Sequence, residues 1–168
     1  MKHDLKRTLL IAVVAAAAMA PAVVQPARAQ DNTDVYACQY IGSITSEPLG
    51  DREGHVLRIT DASCLVTAGP LSGGISTVRS IWDGDKTGGV LLAGEAVTRK
   101  PGGMAVNTLT DGKLEFKLSD GKVVGVISTG HGRYVMAVGS AAAVAGKAFE
   151  FSTKTTGPGQ YSIEVQRE

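Results

Sequence analysis

Residues 120–151 read DGKVVGVISTGHGRYVMAVGSAAAVAGKAFEF, from Asp120 to Phe151, with glycines recurring between short runs of β-branched and aromatic residues. Each glycine in a helix interior costs about 1 kcal/mol relative to alanine, so the run cannot hold a long helix. It suits strands that bend sharply or pack closely. The stretch predicts a β-meander. Glycines and alternating apolar residues describe a scaffold and carry few reactive groups.

Working outward, residues 113–118 (KLEFKL) place Leu114, Phe116 and Leu118 on one face and charged residues on the other, the clearest period-2 signal in the chain. Asp111-Gly112 and Asp120-Gly121 bracket it as short-hairpin signals, because both central residues of the tight turn favour positive φ. Strands are also expected over 35–45, 55–60, 63–68, 75–82, 91–99, 104–109, 122–128, 133–139, 148–153 and 161–166. Breaker clusters at 46–54, 69–74, 83–89 and 100–103 separate several of them. Residues 141–145 are the single helix-prone patch and are too short to stand alone. These eleven segments, forming about nine or ten strands with short connections, give an all-β fold. An antiparallel meander closing into a small, about eight-stranded barrel is expected, with a sandwich as the alternative. The abundant glycine favours the barrel, where strands must coil to close.

The chain begins MKHDLKR, continues through an apolar run at 8–20 too short to span a bilayer, and reaches Ala27-Arg28-Ala29. That order is a secretory signal peptide over residues 1–29, with cleavage near Ala29/Gln30. Residues 30–168 are then a single domain, periplasmic or secreted, with no later apolar segment long enough for insertion of the mature chain into a membrane as a helix. Cleavage removes Lys2, Lys6, Arg7 and Arg28 against Asp4, so the net charge falls from +1 to −2. No basic cluster remains to neutralise a row of phosphates, which argues against nucleic acid as a partner.

Cys38 and Cys64 are the two cysteines, and in an exported chain an even pair most simply forms one disulfide. Closing a loop of 26 residues contributes roughly 3.5 kcal/mol on the chain-entropy model. Two buried free thiols are the rival reading.

Metal and cofactor chemistry have no anchor. His55 and His131 lie far apart, with no cysteine or carboxylate at ligand spacing, and His131 sits between two glycines in an expected exposed turn. Asp83 to Gly88 (DGDKTG) imitates the start of a calcium loop, but the twelfth position is Gly94 where a glutamate is needed. A hairpin loop with turn-forming aspartates is the plainer reading. There is no G-x-S-x-G elbow, Walker loop or H-E-x-x-H. Strand parity groups Leu91, Ala93, Glu95, Val97 and Arg99 on one face, and Arg79 with Ile75, Thr77 and Ile81. If those faces point inward, Glu95 needs a partner such as Arg79 or Arg99, and the group would orient a ligand. If they point outward, the residues are solvated. Trp82 and Tyr134 either line a cavity or fill the core.

Residues 130–139 form the pattern G-x-G-R-Y-x-x-A-x-G. This resembles a segment of allene oxide cyclase-like and dirigent-like barrels, in which a G-x-G-x-[YF] run enters a strand and A-x-G follows. The resemblance implies an eight-stranded barrel with a central cavity for apolar ligands. The matching residues, Gly130, Gly132, Tyr134, Ala137 and Gly139, look structural, so no catalytic residue is carried over. Three functions follow as expectations. The first is an exported barrel that binds a small apolar ligand, or serves as a scaffold, without turnover. The second is an isomerase or cyclase acting in the cavity through Arg79, Glu95, Arg99 and Tyr134. The third is an envelope module that binds another protein through a sheet edge.

Overall fold

A computed structural model describes residues 32–168; the expected leader at 1–29 lies outside the described residues. Nine strands follow in chain order: β1 (Thr33–Tyr40), β2 (Thr45–Pro48), β3 (Val56–Ala68), β4 (Ile75–Gly84), β5 (Gly88–Lys100), β6 (Gly103–Ser119), β7 (Lys122–Gly139), β8 (Ala148–Gly157) and β9 (Gln160–Arg167). Each pairs antiparallel with its neighbour from β3 through β9, β9 pairs with β1, and β1 pairs back onto β3. Eight strands therefore close an antiparallel barrel, and β2 adds to the stretch of β3 beyond the end of β1. Closure satisfies the edges that an open sheet would expose. β2 is short, fully exposed and ends in Glu47-Pro48, features that blunt an edge.

Cys38 and Cys64 face each other across the β1–β3 seam and are joined by a disulfide, with Cα atoms 4.0 Å apart. The bond cross-links the pairing that closes the barrel.

Three expected turns are strand interiors. Asp111-Gly112 lies within β6, where a bulge falls between Leu109 and Asp111. Gly112 is glycine because a Cβ there would come within 3.2 Å of the Trp82 indole. The Asp-Gly signal thus marks a bulge and a close approach. The Gly130-His131-Gly132 run is likewise continuous strand within β7, and β3 runs unbroken through Asp61-Ala62. Across the β7–β8 pair, Gly130 faces Phe151 and Gly132 faces Phe149, and a side chain on either glycine would run into the facing ring. The opening glycines are therefore seats for two phenyl rings. Asp120-Gly121 is a true turn, with φ of 51° and 73°, and it joins the longest hairpin, β6–β7. The helix-prone patch forms one 3-10 turn at Ala142–Val144.

The interior divides into two halves along the axis. At one end Leu71, Ala141 and Val144 plug the barrel against Tyr36, Val66, Ala105, Tyr134 and Phe149, all buried. At the other end, where the β4–β5, β6–β7 and β8–β9 hairpins turn, the barrel is open.

Candidate functional site

The closed end is built on a buried charge pair. Asp34 on β1 and Arg167 on β9 are in direct contact through Oδ2 and Nη1, with side chains 0 % and 2 % exposed. The carboxylate also accepts from the Leu71 amide at 3.3 Å and from the Tyr134 hydroxyl at 3.5 Å. The Tyr134 and Tyr36 hydroxyls lie 3.3 Å apart, which extends the network towards the barrel centre. Burial raises the Asp34 carboxyl above its ordinary range, with the Arg167 guanidinium opposing that rise. Burial also pushes Tyr36 up to about 12 and raises Tyr134 further still. Both phenols stay protonated. This floor is a structural plug whose polar groups satisfy one another.

Above it opens a cavity of about 610 Å³, bounded below by Tyr36, Phe149, Phe151 and Val165. A volume in the range of about 300–1,000 Å³ is that of a small-molecule site. Its walls alternate apolar and hydroxyl groups. Trp82, Leu109, Leu114 and Ile163 supply the apolar surface, and Ser76, Ser80, Thr60, Ser128 and Thr153 supply the hydroxyls. These hydroxyls are paired: Thr60 with Ser80 at 2.7 Å, Thr98 donating to Ser76 at 3.1 Å, and Ser128 with Thr153 at 2.7 Å. The Trp82 Nε1–H donates to Ser80 Oγ at 2.8 Å. Asn107 faces the same cavity from β6, and its Oδ1 is buried without a hydrogen-bond partner among the described residues.

The mouth carries aromatic and apolar groups. The Tyr40 and Tyr161 rings lie 5.0 Å apart, and burial raises both phenols. Arg58 extends over the Phe116 ring, 4.9 Å from its centroid, a cation–π distance. Burial lowers the Arg58 guanidinium, opposed by Asp85 and Tyr40. Beyond this rim Leu118, Val123 and Val124 are exposed on the overhanging β6–β7 hairpin.

Of the four residues singled out as ligand contacts, Glu95 borders the cavity and Arg79, Arg99 and Tyr134 do not. Arg79, Glu95 and Arg99 are exposed, on the parity opposite to the buried Ser76, Ser80, Ala96 and Thr98. Arg79 makes a two-pronged contact with Asp61 at 2.8 and 3.0 Å, and Glu95 stands directly opposite Arg79 in the β4–β5 register. Charged side chains take the solvent face because burying them unpaired is far costlier. Tyr134 faces inward but belongs to the floor, at 0 % exposure. Trp82 lines the cavity and is not a member of the core cluster.

The histidines are outside the cavity as well. His131 is exposed on the outer face of β7, with Nδ1 at 2.9 Å from Asp111, which raises it. His55 is buried between Asp51 and Asp83, with Nε2 at 2.5 Å from Asp83, and both carboxylates raise it. It pins the segment before β3 to the end of β4. The 83–89 turn is held by the Asp85 carboxylate, which accepts from the Thr87 and Gly88 amides at 2.7 and 3.3 Å and from the Thr87 hydroxyl. Among the described residues no group of three or more histidine, cysteine or carboxylate side chains is arranged to hold a metal.

No protein-family model and no curated protein matches this chain. Asn107, Ser80, Ser128 and Thr153 escaped the sequence reading because polar residues on a strand read as the solvent face. The signal that would have found them is parity: Ala105, Asn107 and Leu109 share a face, as do Ser76, Val78, Ser80 and Trp82.

Proposed function

We propose that this chain is an exported β-barrel that binds a small, largely apolar ligand in its open half and releases it unchanged. The observation that carries the reading is the division of the barrel interior into a packed floor and an open chamber of about 610 Å³ walled by Trp82, Leu109, Leu114 and Ile163. Confinement of apolar surface in such a chamber contributes about 25 cal/mol for each Å² removed from water. Export is supported by the leader-like start of the sequence and by the disulfide, which persists in oxidising compartments. The outer wall supports a water-facing barrel over a lipid-facing one. Asp61, Arg79, Glu95, Lys113, Glu115, Glu150, Lys154 and Glu164 project from it along six strands, and charges on a lipid-facing belt are destabilising. The resemblance of residues 130–139 to allene oxide cyclase-like and dirigent-like barrels fits this reading as a shared architecture.

The test is a thermal-shift screen of the exported chain against a library of small hydrophobic compounds, run beside Ala96→Phe. Ala96 is a small residue on the cavity wall, so the phenyl ring enters the chamber. Stabilisation of the wild type by library members and its loss in a folded Ala96→Phe variant is the expected result. A library that shifts neither protein sinks the proposal.

A further inference from the structure

A cation at the mouth has no counterion. On β3 the inward positions run through Cys64, Ala62 and Thr60, the last of which lines the chamber, and Arg58 is the next on that face, directly opposite Trp82 of β4. Phe116 holds the matching place on β6, one inward position beyond Leu114 of the chamber wall. The guanidinium lies over that ring at 4.9 Å from its centroid, so the contact joins β3 to β6 across β4 and β5 at the upper limit of the chamber. Nothing else holds the group: among the described residues Arg58 makes no hydrogen bond and no ion pair. Its Nη1 is sealed inside the protein, whereas Nε and Nη2 are not, and these two form the edge a ligand can reach. Asp85 is the carboxylate whose charge it feels, but Asp85 Oδ1 is taken by the Thr87 and Gly88 amides. A half-buried guanidinium without a partner has given up part of its hydration and received no anion in return.

We infer that the ligand is an amphipathic anion: its oxyanion head accepts from Arg58 Nε and Nη2 at the mouth, and its apolar body lies in the chamber against Trp82 and Leu114. This rests on the cavity-binding reading above and narrows it to a ligand class. The Nε–Nη2 edge of a guanidinium presents two parallel donors that match a carboxylate or similar oxyanion, a contact stronger than one between neutral groups. Tyr40 adds to the site. Its phenol feels the Arg58 charge, it lines the chamber, and its hydroxyl has no partner among the described residues. Glu95 is the one charged residue bordering the chamber, and it stands opposite Arg79, deeper along the β4–β5 wall than Trp82. Its charge repels an anionic head from the interior and so keeps that head at the rim, where Arg58 is.

The experiment uses three probes of one chain length at neutral pH, below their aggregation limits: decanoate, 1-decanol and decylammonium. Trp82 is the sole tryptophan and lines the chamber, so its emission reports occupancy. The expected result is that decanoate binds the wild type at least about tenfold tighter than 1-decanol, as for a charge-assisted pair at a half-buried site. In Arg58→Met that preference is lost and 1-decanol binds as before, whereas Arg58→Lys keeps part of it. These variants should fold, because Arg58 has no hydrogen-bonded partner to leave behind; Arg58→Gln repeats the comparison if the methionine variant does not. Binding of decanoate no tighter than that of 1-decanol by the wild type overturns the inference and leaves cavity binding intact. A preference for decanoate that persists unchanged in Arg58→Met overturns it in favour of another cation, such as Lys117 or Lys122 on the β6–β7 hairpin. Tightest binding by decylammonium overturns it in favour of Glu95. Binding of none of the three overturns it together with the reading it rests on.

Discussion

Replacing Arg167 by methionine should expose how the closed end is held. Methionine keeps the length and apolar stem of the side chain but removes its charge, so Asp34 is left as a carboxylate at 0 % exposure with only the Leu71 amide and the Tyr134 hydroxyl beside it. Breaking a buried pair from one side costs about 3–5 kcal/mol, because the survivor has lost both water and partner. For a domain of this size each kcal/mol moves the melting temperature by about 3 °C, giving a fall of roughly 10–15 °C. The loss should also depend on pH. Burial already raises the Asp34 carboxyl, and removing Arg167 takes away the largest influence that lowers it. The folded variant then binds a proton that the unfolded chain releases, so its stability rises as pH falls through the raised value and declines above it. The double variant Arg167→Met with Asp34→Asn should recover part of the loss at neutral pH. Thermal denaturation of the wild type, Arg167→Met and the double variant at neutral and mildly acidic pH measures all of this. A loss below about 1 kcal/mol for Arg167→Met, or one that does not change with pH, would refute the reasoning.

Reducing the Cys38–Cys64 disulfide, or replacing both cysteines by serine, should destabilise the barrel by roughly 3.5 kcal/mol in chemical denaturation, since the bond spans 26 residues and joins the closing strands. Gly132→Ala should cost roughly 1–3 kcal/mol, because the new methyl group meets the Phe149 ring and lies 2.8 Å from the Thr108 carbonyl; a neutral result would mean that β7 and β8 shift apart freely. His55 and His131 are both raised by neighbouring carboxylates, so their contribution is complete below about pH 6.5 and is lost as pH rises through the raised values. Melting temperature followed through that window should fall in the wild type and fall less in His55→Asn.

The fold was legible because strand signals are local. Leu114, Phe116 and Leu118 alternate with charges; Leu114 and Phe116 are half-buried on β6, whereas Leu118 is exposed past the rim. The Asp-Gly turns show the limit of such reading: residues 120 and 121 turn the chain, whereas residues 111 and 112 admit the Trp82 ring, and only the partner strand distinguishes the two uses. The candidate site was less legible. A strand such as β5 mixes apolar and charged residues on one face, so its own pattern does not say which side is water. Closure settles it: Ala96 and Thr98 are buried beside β4 and β6, and Glu95 and Arg99 are turned out. Asn107 could not be recognised as an unpaired group from sequence, because the absence of a partner is a property of four neighbouring strands rather than of one.

A titration of the wild-type chain with 1-bromodecane, followed by Trp82 emission, addresses the open chamber most directly, since bromine quenches an indole only in contact with it. Saturable quenching at one equivalent per chain, lost in a folded Ala96→Phe variant, is the predicted result. Quenching no greater than that of free tryptophan in the same solution would contradict the account.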